Sequence, residues 1–234
     1  MSNPKRNLTI IPAKDIAKLA KRGEAILEQN YRKVAMLYDK ILRFPRKDVA
    51  SDNLLELVYK MVKAFGMGRP NVRLLESPDF KKLIKKHADT IQSIGKLKLE
   101  KVKDTDVAFK ETADELFDNL RLNQAQTRLV TFSKTMHFLL PDLFMPIDRK
   151  FTLQFYYADL PFKNKRAMQN VIDSREKQKA CLSFISEDFR RYAREHCEVL
   201  SGQVKPTSRW NRNIPKVIDN IIIAYVSENL STDW

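Results

Sequence analysis

Apolar residues recur at helical spacings along most of this chain, and this periodicity constrains the fold more than any other feature of the sequence. The clearest stripe follows two capping residues, Ser51 and Asp52, and stops at Gly66. Its members are Leu54, Leu55, Val58, Met61, Val62 and Phe65. With only 5 glycines and 10 prolines, the sequence lacks the dense turns of a β-sandwich or barrel. It therefore predicts an all-α, multi-helix globular domain.

The length of 234 residues suits one large domain or two small ones. We predict one all-α domain over residues 1–234, with two helical lobes at 10–105 and 106–230 as the alternative. The stretch 159–165 contains a proline and is predicted to be a connection between helices.

Two segments leave the local structure open. Residues 12–44 carry a helical stripe that predicts one long helix or two shorter ones, with Gly23 as the weak point. Residues 96–103 alternate briefly between lysines and apolar side chains, which predicts either a short strand or a basic loop.

The last predicted helix covers residues 214–229 and begins after Asn213, with Pro215 in its first turn. Its apolar stripe consists of Val217, Ile218, Ile221, Ile222 and Tyr225. A helix this apolar is either buried in its own core or buries a partner. Homo-oligomerisation through residues 214–229 is therefore one alternative.

The net charge of +14 surrounds the molecule with a positive field that favours polyanionic partners. Nucleic acid is the natural candidate, with DNA ahead of RNA. The basic residues predicted to contact phosphates are Lys81, Lys82, Lys85, Lys86, Arg128, Lys134, Arg149, Lys150, Arg209 and Arg212. Trp210 has polar neighbours, so we expect a loop to expose it for stacking on a base.

Several other function classes lack their signatures. The two cysteines and three histidines show no metal-ligand spacing, and neither a phosphate-binding glycine loop nor a known hydrolase motif is present. We predict no metal and no cofactor. No apolar run is long enough to span a membrane, and two cysteines cannot form a disulfide framework. The expected location is the cytoplasm, with no membrane partner.

Residues 129–152 carry the one chemical hypothesis that can be tied to particular positions. An apolar run containing Lys134 and His137 ends at Pro141, and Asp148 then lies at the start of a new helix. Asp148 is predicted to be a helix cap alone, or a cap that also acts in catalysis. His137 is predicted to be a structural imidazole, with a catalytic base as the alternative.

The same stretch resembles the helix-hairpin-helix DNA glycosylase superfamily, because residues 145–148 (Met-Pro-Ile-Asp) look like its Pro-Val-Asp type turn. The resemblance implies that Asp148 faces the sugar of an extruded nucleotide. Two features depart from that family: residues 123–128 lack the hairpin glycines, and Leu129 and Val130 stand where bifunctional members have a lysine. Lyase chemistry and an iron–sulfur cluster are therefore not implied.

Three hypotheses about function follow from the sequence. The first is a basic helical protein that binds nucleic acid, related distantly to DNA glycosylases. The second is an N-glycosidic bond hydrolase acting on DNA, and the third is a helical protein-interaction or oligomerisation module without a nucleic-acid role.

Overall fold

The computed structural model describes residues 4–44, 48–67, 72–103, 105–125, 128–157 and 172–230. Within these residues the fold is all-α, as predicted, and its only β feature is an isolated bridge between Leu74 and Asn123. The α-helices are α1 (Ala13–Leu42), α2 (Asp52–Val62), α3 (Ser77–Lys86), α4 (Ala88–Ser93), α5 (Val107–Asn119), α6 (Leu129–Leu139), α7 (Thr152–Tyr156), α8 (Arg175–Glu195), α9 (Cys197–Gln203) and α10 (Ile214–Asn229). The predicted connection at 159–165 lies outside the described residues.

Two helices, α6 and α10, form the centre of the core. All eleven residues of α6 are buried, and so are eleven of the sixteen residues of α10. Helices α1, α7, α8 and α9 all pack against α10. The apolar stripe of α10, except for the half-buried Tyr225, is therefore buried within its own chain, and homo-oligomerisation stays a prediction.

The most extensive helix pair joins α1 to α10. At their crossing, a Cβ atom added to Gly23 would lie 1.9 Å from the carbonyl oxygen of Asn220. Gly23 is thus the point of closest approach between the helices, and the idea that it weakens α1 was wrong. The helix is interrupted instead at Tyr31, whose φ of −131° and ψ of 22° leave the helical region.

The predicted start of α10 is confirmed. The Asn213 side-chain oxygen accepts a hydrogen bond from the Lys216 N–H at 2.9 Å, which satisfies one of the free amides of the first turn. The helix begins at Ile214, as predicted. Asp106 caps α5 in the same way, accepting from the Phe109 N–H at 3.0 Å.

The segment 96–103 is not a strand but a basic loop, the alternative predicted for it, and it contains one short turn of helix. Leu99–Lys101 is a short 3₁₀ helix. The Leu99 N–H donates to the carbonyl of Asp142 at 2.9 Å, and the Leu99 side chain is buried. The hydrogen bond to Asp142 stands in place of the ones that a partner strand would make with this segment.

The described apolar residues form one contiguous core that runs from Leu8 to Val226. Helix pairs α1–α10 and α2–α6 join the two predicted lobes through this core. The exact division into domains stays a prediction. No helix among the described residues combines the length and the hydropathy needed to cross a membrane.

Candidate functional site

An open cleft lies between α1, α6 and α10, with an empty space of about 500 Å³ that includes its mouth. We call it the aromatic cleft. Its aromatic lining residues, apart from His137, are Tyr31, Tyr38, Phe65, Phe138, Phe151 and Trp210. Its polar lining residues are Lys134, His137, Asp148, Lys216 and Asp219.

Two pairs of aromatic rings in the cleft are stacked. Tyr38 and Trp210 are buried and stack with centroids 5.8 Å apart and an interplanar angle of 21°. Tyr31 and Phe65 are only half-buried and stack at 5.2 Å and 28°. The first pair therefore belongs to the protein core, and the second pair gives the cleft an accessible aromatic wall.

Trp210 contradicts its prediction, because only 1% of its surface is exposed. The reason lies in residues 208–213, which we call the strap because they are tied to α1. Glu24 accepts hydrogen bonds from the Ser208 hydroxyl and the Asn211 amide, Arg209 pairs with Glu28, and Arg212 pairs with Asp39 at 3.1 Å. The polar neighbours of Trp210 therefore bind acidic groups of α1, and these contacts hold the indole in the cleft.

Asp148 lies at the predicted turn before α7, but the prediction that it caps this helix was wrong, because the N-cap residue of α7 is Phe151. Its carboxylate accepts a hydrogen bond from the Phe151 N–H at 2.7 Å, and its own N–H donates to the Thr152 hydroxyl at 3.2 Å. The Ile147 N–H donates to the Ser133 hydroxyl at 3.0 Å, which fixes this turn to α6. A rigid turn thus holds one carboxylate at the cleft.

Two lysines and a second carboxylate accompany Asp148. Lys134 is 8% exposed, and its Nζ lies 5.1 Å from the centroid of the Phe65 ring. Lys216 and Asp219 form a buried ion pair, with the Lys216 Nζ 5.7 Å from the centroid of Trp210. The cleft therefore balances two ammonium groups against two carboxylates.

Opposing effects act on the pKa of Asp219. Burial raises this pKa, because the charged form loses its hydration, and the nearby charge of Asp148 raises it further. The ammonium groups of Lys216 and Lys134 act in the opposite direction. Lys216, Lys134 and Asp148 are thus all close enough to influence the protonation of Asp219.

His137 is held by hydrogen bonds on both ring nitrogens. Its Nδ1 lies 2.8 Å from the carbonyl oxygen of Phe144, so this nitrogen carries the proton and donates. Its Nε2 therefore accepts from the Tyr38 hydroxyl, 2.9 Å away, and the Asn213 amide donates to the same hydroxyl at 3.2 Å. This geometry favours the structural imidazole over the catalytic base.

We expect the Tyr38→Phe substitution to lower the free energy of unfolding by about 2 kcal/mol, because it removes hydrogen bonds to two buried polar groups. These groups are the acceptor nitrogen of His137 and the donor amide of Asn213. Urea denaturation measures the change. Tyr59→Phe is the control, since the Tyr59 hydroxyl makes no hydrogen bond within the described part of the chain and its loss should cost under about 0.5 kcal/mol. Equal effects of the two substitutions would refute the role given to the Tyr38 hydroxyl.

The structure brings some of the predicted site residues together and leaves others apart. Those that line the cleft are Lys134, His137, Asp148 and Trp210. Those that adjoin cleft residues along the chain, which we call the basic rim, are Arg149, Lys150, Arg209 and Arg212.

The remaining predicted cations lie away from the cleft lining. The residues Lys81, Lys82, Lys85 and Lys86 belong to α3, which packs on α2. Two of them pair with acids of α2, since Lys81 lies 2.6 Å from Glu56 and Lys85 lies 2.7 Å from Asp52. Arg128, at the start of α6, lies over the aromatic ring of Phe117. Residues 126 and 127, in the stretch compared with the glycosylase hairpin, lie outside the described residues.

Among the residues that line the cleft, sequence reasoning missed three rings and an ion pair: Tyr31, Tyr38, Phe65, Lys216 and Asp219. Lys216 and Asp219 did leave a signal, because they are opposite charges one turn apart inside a strongly apolar helix. Charged residues in such a helix must be buried as a pair or serve a site. The three rings left no comparable signal, since aromatic residues in amphipathic helices ordinarily belong to the core.

No protein-family model matches this chain, and no curated protein or solved structure shows significant similarity to it. The resemblance of residues 129–152 to DNA glycosylases stays a prediction. The functional argument therefore depends on the aromatic cleft and its charges.

Proposed function

We propose that the protein binds nucleic acid and accommodates one unstacked base in the aromatic cleft. The observation that carries this proposal is the half-buried ring pair Tyr31 and Phe65 beside Lys134 and Asp148 in one open cleft. A base that leaves the helical stack needs an aromatic or apolar surface for its faces and polar groups for its edge. The aromatic cleft offers both.

The chemistry of the cleft supports a planar polar ligand over two other classes. A purely apolar ligand would shield four charged side chains from water and offer them no hydrogen bond in return. A cation would find Phe65 and Trp210 already facing the ammonium groups of Lys134 and Lys216, which would also repel it. A nucleobase avoids both difficulties, because it is flat, neutral and rich in hydrogen-bonding groups.

The charges around the cleft support a polyanionic partner. Two members of the basic rim, Arg209 and Arg212, already pair with Glu28 and Asp39. The other two, Arg149 and Lys150, directly follow Asp148, and the whole sequence carries a net charge of +14. The phosphate beside an unstacked nucleotide would meet Arg149 and Lys150. Binding of this kind releases counterions, so the affinity should fall as salt rises.

Fluorescence anisotropy with labelled oligonucleotides tests the proposal. The probes are a fully paired DNA duplex, the same duplex with one unpaired nucleotide, the single strand and matched RNA, each at several salt concentrations. We expect the duplex with the unpaired nucleotide to bind most tightly, with the logarithm of affinity falling linearly with the logarithm of salt concentration. No binding near physiological salt, or equal binding of the two duplexes, would overturn the proposal.

A variant of the cleft wall makes the test specific. Tyr31→Ala should weaken binding to the unpaired-nucleotide duplex about tenfold, because stacking on an aromatic ring contributes about 1–3 kcal/mol per base. Its affinity for the fully paired duplex should not change. Met36→Ala is the matched control, since Met36 lies on the same helix and is 70% exposed.

Hydrolysis of an N-glycosidic bond is a second candidate, favoured by one observation. Asp148 lines the same cleft as the aromatic wall, so its carboxylate would lie near the sugar of a base held there. A negative charge in that position stabilises the positive charge that develops on the sugar as the bond breaks. The hypothesis of an interaction module has no comparable support, because the apolar stripe of α10 is buried.

A further inference from the structure

Four exposed lysines lie on the basic loop 96–103, and we call them the lysine ridge: Lys96, Lys98, Lys101 and Lys103. Within the described part of the chain, none of the four pairs with an acidic side chain. Lys81 and Lys85 of α3, in contrast, each pair with an acid of α2. The loop holds one acidic residue, Glu100, which is half-buried. Like charges this close together repel one another, and a polyanion would relieve the repulsion.

The loop that carries the lysine ridge is anchored to the protein at two points. The Leu99 N–H donates to the Asp142 carbonyl at 2.9 Å. The Val102 carbonyl accepts from the Arg194 guanidinium group at 2.7 Å. The Leu99 and Val102 side chains are each 1% exposed. The loop therefore presents its lysines to solvent from a fixed backbone, which lowers the entropy cost of binding a partner.

The lysine ridge lies close to the aromatic cleft. A Cβ atom added to Gly95 would lie 3.4 Å from Cδ2 of Leu140. Leu140 directly follows α6 and stands three residues after His137, which lines the cleft. The Cα atoms of His137 and Lys96 are therefore separated by at most about 20 Å. Along a DNA strand, with about 3.4 Å per nucleotide, this distance covers about six nucleotides.

We propose that the lysine ridge binds the phosphate backbone of the duplex beside the unstacked nucleotide, within about six nucleotides of it. The cleft receives the base, and the ridge supplies affinity that is independent of base sequence. This inference depends on the proposed function, since it concerns the nucleic acid that places a base in the aromatic cleft.

A ridge variant tests the contact by removing three of the charges. It combines Lys96→Ala, Lys98→Ala and Lys101→Ala, the ridge lysines within three residues of the anchored Leu99. At about 0.1 M salt we expect fluorescence anisotropy to show about 100-fold weaker binding of the paired duplex and of the unpaired-nucleotide duplex alike. The slope of log affinity against log salt concentration should become shallower by about 3, because each lost phosphate contact contributes about 0.9.

The matched control removes three lysines from the first half of α1: Lys14→Ala, Lys18→Ala and Lys21→Ala. All three are exposed, so the control loses the same charge at another place. Tyr192 of α8 donates to the carbonyl of Ile11, just before α1, whereas Arg194 of α8 binds the ridge loop. Residues two apart in a helix point to different sides, so the start of α1 and the ridge lie on different sides of α8. The control should bind within about threefold of the native protein, since salt screens charges away from the contact.

Chemically altered duplexes test the same contact with the native protein. Neutral methylphosphonate groups replace about four consecutive phosphates at a time, at increasing distance from the unpaired nucleotide and on each strand in turn. We expect one block within about six nucleotides to weaken binding by the native protein about as much as the ridge substitutions do. The same block should not weaken the ridge variant any further. A block directly beside the unpaired nucleotide, which meets Arg149 and Lys150, should weaken both proteins.

The outcomes separate this inference from the proposed function. If the ridge variant binds as the control does, and still prefers the unpaired-nucleotide duplex, the ridge contact is overturned and the proposed function stands. A ridge variant that loses only this preference would also overturn the contact. If the native protein does not prefer the unpaired nucleotide, both are overturned. If the melting temperature shows that the ridge variant does not fold, the altered duplexes decide with the native protein, and an equal effect of every block would overturn the contact.

Discussion

Replacing Gly23 with alanine should lower the free energy of unfolding by about 3 kcal/mol or more, at the upper end of the usual cost of overpacking a core. The new Cβ would lie 1.9 Å from the Asn220 carbonyl oxygen and 2.6 Å from its carbon. Both atoms belong to the backbone of α10, so no side-chain rotation can relieve the overlap. Helices α1 and α10 would have to separate along the largest helix contact of the core.

Urea denaturation and thermal melting measure this effect, and Gly202→Ala is the matched control. Gly202 lies in α9, and a Cβ added there has no atom within 4 Å. The control should be neutral or stabilise the protein by up to about 1 kcal/mol, because alanine favours helix more than glycine does. If the Gly23→Ala and Gly202→Ala variants have similar free energies of unfolding, the claim that α1 closely approaches α10 at Gly23 is wrong. A loss of oligonucleotide binding should accompany the loss of stability, since both helices line the cleft.

Asp148→Asn should reduce the rate of base release about 100- to 10,000-fold if the protein cleaves N-glycosidic bonds, which is the usual contribution of a positioned acid or base. Asparagine has the shape of aspartate and keeps one side-chain oxygen as an acceptor, so the hydrogen bond to the Phe151 N–H should persist. Binding of the unpaired-nucleotide duplex should therefore remain close to that of the native protein. The measurement is single-turnover release of the base from a labelled duplex, with binding recorded in parallel.

Asp106→Asn provides the control for Asp148→Asn. Like Asp148, Asp106 accepts a hydrogen bond from the N–H three residues later, but it is not part of the cleft lining. Its substitution should leave both binding and base release unchanged. A native protein that binds the probe but releases no base would remove the hydrolase candidate and leave the binding function. An Asp148→Asn variant that releases base at the native rate would show that this carboxylate has no catalytic role.

Features that depend on neighbours along the chain could be predicted from the sequence. Asn213 and Pro215 marked the start of α10, because a cap involves only the next three residues. The pattern around Asp148 located a turn at the end of a buried helix for the same reason. The all-α class followed from periodicity and a low glycine count, which are also properties of the local sequence.

Features that depend on distant residues could not be predicted in this way. The strap around Trp210 looked like an exposed loop, since its neighbours are polar, but those neighbours bind acids of α1. Gly23 looked like a weak point because its partner, the backbone of Asn220, lies at the other end of the chain. The Lys216–Asp219 pair gained meaning only once Lys134 and Asp148 were seen beside it.

The contact between α1 and α10 determines when the cleft can appear during synthesis. During translation α1 leaves the ribosome before α10, and the residues that tie the strap to α1 also come late in the chain. Domains fold as they emerge, and contacts between distant segments form slowly because a long loop must close first. A nascent chain therefore lacks the cleft until α10 has been made, and a chain that stops before α10 cannot form it.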